Sequence, residues 1–77
     1  MVFETVSKLI ADQLKVSVEK VVPEAHLVED LGADSANIMV LIMDLEDEYQ
    51  MQVEDSAITE LRTVGDIVAY IEKATGK

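Results

Sequence analysis

Ser35 stands in the stretch EDLGADSANIMVLIMDLEDEY, Glu29 to Tyr49, where an acidic turn gives way to an apolar run. A serine reacts as a nucleophile only with a base beside it. The one histidine, His26, precedes it by nine residues and falls in a loop, so no Ser-His-Asp set can be assembled. No cysteine is present, which removes thiolate nucleophiles, disulfides and thiolate metal sites. No glycine-rich phosphate loop exists either. The carboxylates after Met43 invite comparison with a calcium loop starting at Asp44. Such a loop needs glycine at its sixth position, and Tyr49 is there, although Asp55 would supply the twelfth. No metal site is therefore expected. At a helix start a hydroxyl also has a structural use, as an N-cap, and either Asp34 or Ser35 can fill that position.

The elements that must position Ser35 follow from apolar spacing. Val2, Phe3, Val6, Leu9, Ile10 and Leu14 recur at helical intervals and predict a first helix over residues 2–14. Residues 15–34 lack that period. Val16, Val18, Val21 and Val22 resemble a strand but have no partner strand, and Pro23 blocks a helix. A long ordered loop is expected, pinned to the core by these valines and by Leu27, Val28 and Leu31. A loop this long in a short chain usually carries function. Gly32 permits the turn that closes it. A second helix runs from about Ser35 to Tyr49, with Ile38, Leu41, Ile42, Leu45 and Tyr49 as its buried stripe. Asp55 and Ser56 can cap a short third helix to about Leu61. Thr63 opens a capping box with Asp66, and Val64, Ile67, Val68 and Ile71 follow as a fourth helix, with Gly76 in a frayed tail. The expected fold is all-α: a small four-helix bundle of three main helices and one short one, with a long loop between the first two. Residues 1–77 are expected to form one domain.

Charge bounds the partners. The net charge is −10, and between Lys20 and Arg62 there are 11 acidic residues and no Lys or Arg. Such a surface repels phosphates and anionic membranes, so no nucleic acid and no membrane insertion are expected. It attracts basic partners and speeds their encounter, or it simply keeps the chain soluble. The longest apolar run, Ile38–Met43, is far too short to span a bilayer, and no basic-then-apolar leader precedes it. A cytoplasmic monomer is expected.

Taken whole, the stretch DLGADS (Asp30–Ser35), delivering a serine to the head of an apolar helix, resembles the modification site of acyl carrier proteins. LEDEY at the end of the second helix and TVGDIVAYI from Thr63 are similar to further parts of that family, and the resemblance covers nearly the whole chain. It implies a four-helix carrier fold with no catalytic machinery of its own. It implies that Ser35 bears a covalent phosphopantetheine arm, whose thiol holds acyl intermediates of fatty acid or related biosynthesis as thioesters. A phosphopantetheinyl transferase would supply the catalysis that Ser35 lacks locally, with Asp34 assisting the modification. The absence of cysteine then makes sense, because the working thiol is imported.

Partner enzymes, by the same resemblance, are acyl-transferring and chain-elongating enzymes that set basic docking patches against the second helix. The expected contact residues are Ala36, Asn37, Met39, Val40, Met43, Glu46 and Asp47. The match is incomplete there. The family usually has leucine where Ala36 stands, an acid at Asn37 and a glutamate at Val40, while Met43, Glu46 and Asp47 keep the pattern. Loss of two charges is a change that can redirect partner choice, which suggests a specialised pathway, with a general fatty-acid-synthesis carrier as the close alternative. Ala36, Met39, Val40 and Met43 flank the buried stripe and form either an exposed docking patch or, for the methionines, extra core. The alternative function is an unmodified acidic interaction module on the same fold.

Overall fold

The computed structural model describes residues 2–76. In chain order they form α1 (Val2–Leu14), a single 3₁₀ turn (Val18–Lys20), α2 (Ser35–Tyr49), α3 (Asp55–Ile58) and α4 (Val64–Thr75). No strand is found among the described residues, so the all-helical expectation holds. α1 lies against both α2 and α4 and against the 3₁₀ turn.

Each of the three long helices buries the stripe its spacing dictates. Val2, Val6 and Ile10 of α1 meet Leu41, Ile42 and Leu45 of α2 and Val64, Ile67 and Ile71 of α4 in one core. Ile38, Tyr49 and Val68, expected in those stripes, are half-buried at their edges. The caps fix the ends. Thr63 Oγ1 accepts the Asp66 N–H, and Asp66 Oδ2 accepts the Thr63 N–H, each at 3.1 Å. That backbone hydrogen bond, with a second from the Arg62 N–H, holds the Asp66 carboxyl below the usual carboxylate range, against a smaller opposing effect of burial. Gly76 is not a frayed end. It takes the left-handed conformation and returns its N–H to the Glu72 carbonyl, which is a C-cap that glycine adopts without steric penalty.

α3 is shorter than expected. Its N-cap position is Glu54, whose side chain makes no capping bond, and Asp55 is the first helical residue. Beyond Ile58 the chain tightens into i→i−3 bonds, Glu60 N–H to Ala57 and Leu61 N–H to Ile58, so the helix does not reach Leu61.

The long loop is held differently from expectation. Val21, Leu27 and Leu31 are buried, as are Ala25 and Ala33, and Val16 is half-buried, but Val18, Val22 and Val28 are exposed, Val28 at 58%. Backbone bonds do what those valines do not. The Pro23 and Ala25 carbonyls accept the Gly65 and Val64 N–H groups at the start of α4, at 2.9 and 3.0 Å, and the Leu27 N–H donates to Arg62 at 2.9 Å. The loop thus supplies acceptors that the first turn of a helix always lacks. A Cβ on residue 65 would lie 3.0 Å from the Pro23 carbonyl oxygen, so glycine is what allows this approach. The loop then turns through Gly32, whose φ is +73°.

One core residue is anomalous. Ser7 of α1 is 3% exposed, and among the described residues its Oγ has no hydrogen-bond partner. An unsatisfied buried hydroxyl costs about 1–3 kcal/mol, so Ser7→Ala should stabilise the fold by about 1 kcal/mol. A urea titration checks this. The midpoint should rise with unchanged slope, and a fall would mean that the hydroxyl has a use.

Candidate site at the head of α2

The turn from His26 to Ala33 is wound by its own backbone: the Asp30 and Leu31 N–H groups donate to the His26 carbonyl, and that of Ala33 donates to Leu27. The Asp30 carboxylate accepts the His26 N–H at 2.7 Å, a bond that lowers its pKa, and lies 3.4 Å from His26 Nδ1. His26 is therefore engaged within the loop, and no bond joins it to Ser35 among the described residues.

The turn delivers Asp34 in an extended conformation as the N-cap of α2. Its Oδ1 accepts the Asn37 N–H at 2.8 Å, and Asn37 Oδ1 accepts the Asp34 N–H at 3.3 Å. This reciprocal cap decides between the two candidates: Asp34 caps, and Ser35 is the first helical residue, exposed, its hydroxyl outside the cap. The Ile38 N–H is taken by the Asp34 carbonyl. The N–H groups of Ser35 and Ala36 have no acceptor among the described residues. Those N–H groups and the positive end of the helix dipole favour an anion beside Ser35.

Asn37, expected as a partner contact, is half-buried and completes this cap. The signal was present as Asp-x-x-Asn, the same spacing as the Thr63–Asp66 box.

The outer face of α2 resolves the remaining candidates. Ala36, Met39, Val40 and Met43 are all exposed, Met43 at 61%, so the methionines are not extra core. Asp44, Asp47 and Glu48 are exposed around them. Glu46 differs. It is half-buried, and its Oε2 accepts the Val53 N–H at 2.8 Å, fastening the segment that follows α2. Its carboxylate is thus committed inside the protein, where the sequence suggests a docking charge. No group of His, Cys, Asp or Glu able to hold a metal ion occurs among the described residues, and no helix there is long and apolar enough to cross a membrane.

A family model described as the phosphopantetheine attachment site matches residues 4–71. A solved structure from Mycobacterium tuberculosis, assigned as an acyl carrier protein, superposes with a TM-score of 0.89 at 27% identity, over 95% of this chain and 97% of that one. The acyl carrier protein from Enterococcus faecalis, a structure examined for its high thermal stability, superposes with a TM-score of 0.82 at 30% identity, over 95% and 92%.

Proposed function

The chain belongs to the acyl carrier protein family, and from that premise we propose that Ser35 carries its prosthetic group and that the protein delivers acyl intermediates between enzymes of fatty acid or related biosynthesis. The prosthetic group of this family is phosphopantetheine, attached covalently. When bound, it supplies a thiol on which acyl groups are held as thioesters. The observation that carries the assignment to Ser35 is the division of labour at the head of α2: Asp34 does the capping and leaves an exposed hydroxyl one residue on. The site fits a phosphodiester, because among the described residues the Ser35 and Ala36 N–H groups beside that hydroxyl have no acceptor. Asp34 Oδ1 is held by the Asn37 N–H, which leaves Oδ2 to assist the transferase.

Ala36, Met39, Val40, Met43 and Asp47 form the docking face, an apolar centre with an acidic rim, for modifying and acyl-handling enzymes that carry a basic patch. Asn37 supports this face from its edge, and Glu46 supports it from within by holding the segment behind α2. The protein works as a cytoplasmic monomer with no catalysis of its own. The apolar centre points to partners of a specialised pathway. Val40→Glu with Asn37→Asp should therefore raise transfer rates with ordinary fatty-acid-elongating enzymes, about tenfold for a gain near 1.4 kcal/mol. Aspartate at 37 keeps an acceptor for the cap, so the fold is spared. A wild-type rate already equal to that of an ordinary carrier would contradict the specialised pathway.

A further inference from the structure

Where α1 meets the 3₁₀ turn there is a groove of about 230 Å³. Phe3, Glu4, Ser7 and Lys8 of α1 line it, with Val18 of the turn and Val21, which caps the turn. All six belong to the first 21 residues, so the groove shares no lining with the head of α2. Val21 is buried and Phe3 half-buried, whereas Val18 is 49% exposed, which leaves an apolar groove with an open mouth. Glu4 and Lys8 are exposed on its rim.

Ser7 is the one buried polar residue in this lining, and among the described residues its Oγ has no hydrogen-bond partner. A serine inside a helix ordinarily points to solvent or bonds a carbonyl one turn back, and Ser7 does neither. In the free protein such a hydroxyl only destabilises. It can turn without backbone movement, because rotation about χ1 carries Oγ between staggered positions. A group entering the groove with a hydroxyl of its own supplies the bond that the fold withholds.

Size and charge narrow the occupant. The groove's 230 Å³ is several times the ~30 Å³ share of one water, yet below the ~300–1,000 Å³ of sites that enclose whole small molecules. It suits one inserted side chain. Residues 1–20 balance Glu4, Asp12 and Glu19 against Lys8, Lys15 and Lys20, so the net charge of −10 falls wholly on residues 21–77. A surface so balanced does not recruit a basic patch and favours a neutral occupant. Tyrosine meets each requirement, with an uncharged apolar ring for Phe3, Val18 and Val21 and a hydroxyl for Ser7.

We propose that this groove is a second docking site, which takes a tyrosine side chain of a partner protein, the ring against Phe3 and Val18 and the hydroxyl on Ser7 Oγ. The inference stands apart from the carrier reading, because none of these residues belongs to the site at Ser35. N-acetyl-tyrosine amide, N-acetyl-phenylalanine amide and p-cresol are titrated into the full chain, and into Ser7→Ala and Val18→Glu shown by circular dichroism to be folded. The Phe3 ring and Val21 methyl resonances report binding.

The tyrosine amide should shift both resonances and bind about threefold to tenfold more tightly than the phenylalanine amide, the difference that one neutral hydrogen bond makes. That difference should vanish in Ser7→Ala, which is expected to be the more stable protein, so the loss is not one of folding. Val18→Glu puts a charge at the mouth and should weaken both amides at least tenfold. Equal affinities in wild type, a difference that persists in Ser7→Ala, or no shift at Phe3 and Val21 overturns the proposal. Binding of p-cresol without binding of the tyrosine amide makes the groove a site for a free phenol and overturns it equally.

Discussion

Ser35→Ala should abolish phosphopantetheine attachment completely and leave the melting temperature nearly unchanged. The two outcomes separate chemistry from capping at adjacent positions. Ser35 is exposed, and its hydroxyl takes no part in the cap of α2, so its removal leaves every hydrogen bond of that cap in place. Asp34→Ala should behave in the opposite sense. It removes the acceptor of the Asn37 N–H and costs about 1 kcal/mol, a fall of roughly 4–8 °C in a domain of this size. It should also slow attachment at least tenfold without abolishing it, because the hydroxyl remains. Intact mass and thermal melting on the two variants read both effects. Attachment surviving in Ser35→Ala would place the arm elsewhere. Loss of the fold in Ser35→Ala would make the serine a structural residue after all.

Leu27→Ala should be the most damaging single change in the loop. Leu27 is 1% exposed in the common core, and its backbone N–H holds the loop to Arg62. Truncating a buried leucine costs about 2–5 kcal/mol. The whole stability of a 77-residue domain is about 4–12 kcal/mol, so the variant should be near the edge of unfolding at 37 °C. The loss should be local before it is global. The amides of Val64 and Gly65, which donate to the Ala25 and Pro23 carbonyls, should lose hydrogen-exchange protection sooner than those of α1. A cost below about 1 kcal/mol would mean that the loop is not part of the core.

These residues also mark what the sequence discloses and what it withholds. The limits of α2 and α4 are legible because local signals coincide there: a capping residue, a helical apolar stripe and a closing turn. The loop is less legible. Valines at 18, 22 and 28 look the same as those at 16 and 21, yet which of them turn inward is set by where the Pro23 and Ala25 carbonyls meet α4, a contact between distant parts of the chain. The same limit applies to Glu46. Its spacing places it on the acidic face, and only the return of the chain at Val53 draws it inward. α3 stops early because its last turns tighten, which no periodicity announces. At the site itself, Ser35 stands out by type and position, whereas the choice of Asp34 over Ser35 as cap required the geometry.

The central claim is that Ser35 bears the arm. The most direct test is intact mass of the wild-type protein after incubation with coenzyme A and a promiscuous phosphopantetheinyl transferase, followed by fragmentation to locate any added mass. A gain of a single phosphopantetheine, mapped to Ser35, is the predicted result. No gain in protein shown by circular dichroism to be folded, or a gain mapped to another residue, would contradict it.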